Sequence, residues 1–336
     1  MNKKEQKKMK LSKNMVKKAI VTMTLLFVIA AACVVSAKSP EQYPSKAITL
    51  IVPFSAGGIS DYVARLISDV SRKYTNQPIN VVNVPGGSAV VGSNQVITAP
   101  PDGYTLGLLS SGEAASALNI LKAPYDLNSY TPFCQVGKTR YVLAVNKNAK
   151  WNTLKEFIDY AKKNPKKVNV ATPGKGTITY LTGEYFCDKT GIELNFVPFQ
   201  GSGPIVPALL GNHVDAAFFS VIEILSSYKA KEVKLLATIN DKRIPVVNDV
   251  PTAKEQGYNI VAGGSHYVVG PNGVPAGTAK AICKLIQQVT SDEKYINSVM
   301  SMGYTPEYAG TQASKKTLKN WHDQARTIYQ KLGMLQ

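Results

Sequence analysis

Apolar positions along the chain alternate between two periods. ITLIVPF from Ile48 reads as a buried strand, and beyond Ser55-Ala56-Gly57-Gly58 the residues Val63, Leu66, Ile67 and Val70 recur at helical spacing. The unit returns. INVVNVP leads through Gly86-Gly87-Ser88 into a helix-like stretch to Thr98, and YTLGLLSS follows Ala99-Pro100-Pro101. YVLAVN from Tyr141 precedes Thr153-Leu154-Lys155-Glu156, a capping box that opens a helix ending before Asn164-Pro165. VNVAT from Val168 passes through Pro173-Gly174-Lys175-Gly176-Thr177 to a stripe of Ile178, Leu181 and Tyr185. LNFVPF runs to Gln200-Gly201-Ser202-Gly203-Pro204, a turn that opens a helix stopped by Gly211. DAAFFS, VKLLATI, a Pro-rich connection after Asn240, HYVVGP, and a helix carrying Ile282, Leu285, Ile286 and Val289 complete the pattern. The alternation predicts an α/β protein with largely parallel sheets.

At 336 residues the chain can bury a sizeable core, with two domains expected. The net charge of +17 is concentrated at the start: Met1–Ala37 holds eight Lys and one Glu, and the rest carries only +10, without a basic run interleaved with aromatics. A nucleic-acid groove therefore has little support. Residues 1–37 read as an export signal, with Lys17 and Lys18 before AIVTMTLLFVIAAACVV and a cleavage site at Val35-Ser36-Ala37. Lipidation at Cys33 is the second reading and a retained membrane span the third. The remaining cysteines, Cys134, Cys187 and Cys283, are widely spaced and spell no metal site. A Cys134–Cys187 disulfide or three small buried thiols are both open.

In their order along the chain, the turns resemble those of the extracytoplasmic solute receptors of tripartite tricarboxylate transporters, the Bug proteins. The resemblance rests on YPSKAITLIVPFSAGGISD from Tyr43, NVPGGSAVVG from Asn83, PDGYTL from Pro101 and TLKEFIDYAKKNP from Thr153. It continues in ATPGKGT from Ala171, VPFQGSG from Val197, LLGNHVDAAF from Leu209 and DVPTAKEQGY from Asp249. It implies a two-lobed periplasmic-binding-protein-like fold of type II, with residues 45–139 and 240–336 in lobe 1, 140–239 in lobe 2, and the ligand cleft between them. It also implies a small carboxylate ligand (a di- or tricarboxylate or a carboxylate-bearing amino acid) and, as partners, one large and one small membrane subunit of a transporter. Docking on a membrane sensor kinase is the alternative, and an exported enzyme ranks behind both.

Glycine-bearing turns that open helices suit an anion, because backbone N–H groups lie unpaired where the helix end is partly positive. On this reading lobe 1 offers Phe54, Ser55, Ala56, Gly57, Gly58, Ser60 and Asp61, faced by Pro85, Gly86, Gly87 and Ser88, with Ser110 and Ser111 at a strand end. Lobe 2 offers Gly174, Lys175, Gly176, Thr177, Thr179, Gln200, Gly201, Ser202 and Ser220. Any one such turn is equally an ordinary α/β connection; turns from opposite lobes of one cleft favour function. Asp61 either contacts a ligand amine or caps its helix, and Lys175 either compensates for the lysine absent at Gln200 or is simply solvated. Departures from the family pattern fall near the implied ligand and leave its identity open: Ile59-Ser60-Asp61 for Gly-Thr-Asp, Tyr180 for His, Phe199-Gln200 for Tyr-Lys, and His266-Tyr267 for Trp-Tyr or Trp-Phe.

Enzyme constellations are missing from the sequence. GKGT at Gly174 lacks the order of a phosphate-binding loop, neither Gly-x-Ser-x-Gly nor His-Glu-x-x-His occurs, and His213, His266 and His322 are far apart. No catalytic residue, cofactor or metal is expected, and the protein should bind its ligand without converting it.

Overall fold

The computed structural model describes Met9 and residues 43–335. Apart from Met9, the export signal and its alternative at Cys33 lie outside the described residues. The chain divides into Met1–Ser45 and Lys46–Gln336, and the fold below is that of the second unit. Among the described residues no helix is long and apolar enough to cross a membrane.

Parallel strands β2 (Ile79–Asn83), β1 (Ile48–Val52) and β3 (Thr105–Ser110) lie side by side, and so do β6 (Asn195–Pro198), β5 (Asn169–Thr172) and β7 (Ala216–Ser220). Two long strands join these groups. β9 (Gly263–Pro271) inserts antiparallel between β3 and β4 (Tyr130–Asn146). β4 pairs with β9 and β10 (Thr305–Gly310) through Tyr130–Arg140, then with β7 and β8 (Val233–Thr238) through Tyr141–Asn146. The sheets are thus mixed rather than largely parallel, and every antiparallel pairing involves β4 or β9. The first half of β4 escapes a periodicity reading because Pro132 and Gly137 interrupt it and its register against β9 shifts near both.

Helices follow the turns. α1 (Ile59–Ser71) buries Val63, Ile67 and Val70 completely and leaves Leu66 9% exposed, the stripe its spacing predicts. α2 (Val90–Ile97) follows β2. α3 (Leu154–Lys163) is capped by Thr153, whose hydroxyl accepts from Glu156 N at 3.2 Å; Glu156 reaches back to Asn152 N at 2.7 Å, one residue earlier than a capping box requires. α4 (Ile178–Thr190) has Thr177 as its cap, α5 (Ile205–Leu210) follows β6, and α6 (Val221–Lys229) begins at Ser220. α7 (Ala276–Thr290), α8 (Glu293–Met300) and α9 (Thr311–Lys331) complete the chain; α8 buries Tyr295 and Val299, one turn apart, a short stripe not singled out from the sequence.

Around β4, β5 and β7 the core is aromatic. Trp151 meets Phe157 edge-on at 5.1 Å between centroids, and Phe186 meets Phe218 at 5.5 Å. Burying each such side chain contributes about 1.5–3 kcal/mol. α9 spans two cores: Leu318 packs in the cluster of Ile51, Leu109 and Tyr267, while Ala325 and Tyr329 pack in that of Phe157 and Phe186. Cys134, Cys187 and Cys283 are free thiols, and Cys134 lies against Cys283 rather than Cys187.

Candidate functional site

Strand-to-helix turns from the two groups of parallel strands meet around a cavity of about 40 Å³. The β1–α1 turn contributes Phe54, Ser55, Gly58, Ile59, Ser60 and Asp61, and Ser110 and Glu113 come from the end of β3. From the opposite side come Pro173, Thr177, Ile178 and Thr179 of the β5–α4 turn, Ser202 before α5, and Glu223 in the first turn of α6. Tyr141 of β4 and His266 of β9 line it too.

Of the residues expected from sequence, Phe54, Ser55, Gly58, Ser60, Asp61, Ser110, Thr177, Thr179 and Ser202 line this cavity. The others stand behind the wall or beside it. Ser111 is buried and its hydroxyl accepts from Ser265 N at 3.3 Å. Ser220 N donates to Glu223 at 3.0 Å. Gly174 packs on Ser88, Gly176 on Ala117, Gly201 on Phe54 and Ser55, and Ala56 and Gly57 pack against Gly203. These are contacts between the turns. Lys175, Gln200, Pro85 and Gly87 are exposed and Gly86 packs against Val91, so none of them reaches the cavity wall.

The approach of the turns is close. A Cβ on Gly112 would collide with the backbone of Thr177 and Ile178, so only glycine lets the segment after β3 lie against the start of α4. Ser55 N donates to Gln200 O at 3.2 Å across the same divide.

Several N–H groups that the sequence offers to an anion already have partners. Gly57 N donates to Asp61 Oδ2 at 3.1 Å, and Ile59 N, at the start of α1, donates to Glu223 Oε1 at 3.0 Å from the other side of the cavity. Glu223 Oε2 accepts from Ser220 N, so the carboxyl of this half-buried residue bridges two helix N-termini. Burial pushes its pKa up against the bonds that favour its charge. Glu113 is 1 % exposed and both its oxygens accept from Ser110, one from the N–H and one from the hydroxyl. Burial raises it to about 7.

Asp61 differs. Burial pushes it up, but bonds from Arg65, Gly57 and Asn83 outweigh that and hold it below the usual carboxylate range. Its partner Arg65 stands at 3.0 Å with its side chain mostly in solvent. His266 sits between Ser60 Oγ at 3.0 Å and Thr139 Oγ1 at 3.3 Å, and burial lowers it to about 4, so the imidazole is neutral at pH 7.

Sequence reasoning missed Glu113, Glu223, Tyr141, Pro173 and Ile178 as site residues, noted Ile59 only within a departure from a pattern, and noted His266 as such a departure and as one of three widely separated histidines. The signal for Glu223 was present: Ser220-Val221-Ile222-Glu223 is a capping box, which brings a carboxylate to a helix start.

A sequence profile described as the tripartite tricarboxylate transporter family receptor matches residues 63–334. The chain is 31% identical over 286 residues to protein BugT of Bordetella pertussis, covering 84% of this chain and 87% of that one. It is 31% identical over 277 residues to a protein of Agrobacterium vitis from the TAR-I ttuE-ttuC' intergenic region, covering 80% and 79%. Among solved structures, the periplasmic binding protein BugD aligns with a TM-score of 0.83 at 28% identity, over 87% of this chain and 99% of its own.

Proposed function

The chain belongs to the tripartite tricarboxylate transporter receptor family, and from that premise we propose that it is an exported receptor that captures a small carboxylate-bearing solute and passes it to a membrane transporter. The cavity is its binding site. Residues 45–139 with 240–336, and 140–239, act as the two lobes that meet around it, and the change of strand partners between Arg140 and Tyr141 is the crossing point.

The observation that carries this reading is the meeting of two helix N-termini at one cavity. Ile59, Ser60 and Asp61 of α1 and Thr177, Ile178 and Thr179 at the start of α4 all line it, with hydroxyls from Ser60, Thr177, Thr179 and Ser202. The start of α4, which none of the lining carboxyls occupies, can stabilise the solute's carboxylate, and hydroxyls of the lining orient it. The volume suits a solute of a few heavy atoms. Ser60 Oγ and His266 Nε2 stand 3.0 Å apart in the lining, but His266 Nδ1 faces the hydroxyl of Thr139, so among the described residues no carboxylate orients the ring as in a hydrolase triad.

Native mass spectrometry of freshly purified protein, followed by calorimetry with a panel of small carboxylates, tests the reading. Gly58 supplies the control, since an alanine Cβ there would meet Glu223 Oε1 and Ser202 Cβ at 3.5 Å, ordinary contact distances. Gly58→Ala should bind as the wild type does, and Gly58→Trp, whose ring would fill the cavity, should not bind while still unfolding cooperatively. Tight binding of uncharged sugars alone, or carboxylate binding unchanged in Gly58→Trp, would overturn the proposal.

A further inference from the structure

The cavity's lining is one-sided in charge. Asp61, Glu113 and Glu223 contribute carboxyls, while no lysine or arginine is among the described residues that line it. Only Asp61 has a cationic partner, Arg65. Glu113 and Glu223 are held by Ser110 and by Ile59 and Ser220, through donors that carry no charge. Buried charges are ordinarily paired, because removing a carboxylate from water without a counter-charge costs several kcal/mol. Here the two carboxyls come from opposite sides of one cavity, and the remaining titratable groups of the wall, Tyr141 and the neutral His266, bring no positive charge.

Resting on the reading of this cavity as the solute site, we infer that the counter-charge arrives with the ligand: Glu113 and Glu223 select a small solute that carries a cationic nitrogen as well as a carboxylate. A compound with carboxylates at both ends would place one of them beside these acids, or require them to be protonated. Glu223 also holds the Ile59 N–H that a second carboxylate would otherwise take. The two helix starts therefore differ. That of α1 is approached by the protein's own carboxyls, whereas at the start of α4 the lining is Thr177, Ile178 and Thr179 and brings no carboxyl. A zwitterion has one group for each.

Glu113, held at about 7, should be driven to its charged form by an ammonium group, so zwitterion binding at pH 7 releases a proton; a diacid would instead take one up.

Calorimetry at pH 7 in two buffers of different ionisation enthalpy, using two- to five-carbon compounds as matched diacid, amino acid and diamine, reads both affinity and proton flow. The amino acid of the preferred length should bind at least tenfold more tightly than its diacid, with net proton release. Glu113→Gln and Glu223→Gln should each reduce that preference at least tenfold; the two variants are independent, so a folding defect in one leaves the other decisive. A diacid that binds most tightly with proton uptake would refute the inference and leave the receptor reading intact. If no member of the panel or of the wider carboxylate set binds, both fall.

Discussion

Replacing Glu113 by glutamine should stabilise the protein, and the gain should depend on pH. The carboxyl is raised from 4.5 to about 7 by burial. The folded protein therefore holds its proton more tightly than the unfolded chain does. This contribution to stability is fully present below pH 4.5 and is lost as pH rises through 7. That interval corresponds to about 3 kcal/mol.

Glutamine keeps the shape and the bonds: its carbonyl can accept from Ser110 N, and its amide can donate to the Ser110 hydroxyl, which reverses its role. Only the charge is removed. Above pH 7.5 Glu113→Gln should be more stable by about 3 kcal/mol, or about 5 °C in midpoint for a unit of this size, and near pH 4 the two should be alike. The wild-type profile alone would hide the effect. His266, lowered to about 4 by burial, contributes stability that is present above 6.5 and lost as pH falls toward 4, so the two slopes oppose each other between pH 4.5 and 6.5. Urea unfolding of both proteins from pH 4 to 8.5 isolates the Glu113 contribution as a difference. A difference that does not vary with pH, or a variant less stable than wild type at pH 8, would show that the carboxyl is already ionised and paired.

Other outcomes follow from the same contacts. The His266 imidazole, enclosed by Ser60 and Thr139, should show no titration by NMR between pH 5 and 8; a midpoint near 6.5 would mean that it is solvated. Thr153→Ala removes the cap of α3 and should cost about 1 kcal/mol in denaturant unfolding, whereas Thr153→Ser should cost little. Gly112→Ala should unfold far more readily than wild type, because its methyl group would occupy the space of the Thr177–Ile178 backbone; a midpoint within a degree of wild type would contradict the packing. Cys283, lowered to about 6 by its bonds from Cys134 and Thr311 against the opposing effect of burial, should be alkylated well before the buried Cys134 and Cys187. Mass mapping after brief maleimide treatment would expose a different order.

Much of the architecture is legible wherever a segment carries its own period. The stripe of α1, the cap of α3 and the strand cores of β1, β3, β5 and β7 are local properties, and sequence reading finds them. The first half of β4 is another matter: its bulges make sense only against β9, whose sequence lies more than a hundred residues later. The cavity shows the same division. Gly58, Ser60, Thr177, Thr179 and Ser202 are visible as members of glycine turns. Glu113 and Glu223 look like solvated helix-start acids in the sequence, but Glu113 is buried against Ser110 and half-buried Glu223 is held by Ile59 N of the opposing turn. The N–H group of Gly57 looks available from sequence although Asp61, a turn away, accepts it, and that of Ile59 is held by a side chain 164 residues along the chain.

The position of β9 between β3 and β4 governs the order in which this protein can be completed. Strands β1 to β4 are all made by Asn146, yet the strand that joins β3 to β4 does not begin until Gly263. A chain halted in between carries two open, largely apolar strand edges that face no partner of their own. During synthesis such a chain is the form most prone to pair with its neighbours. Fragments ending between Asn146 and Gly263 should therefore associate as β-rich aggregates, while those extending past Pro271 should not, so the hazard opens once the cavity's first wall is made and closes only when β9 is in place.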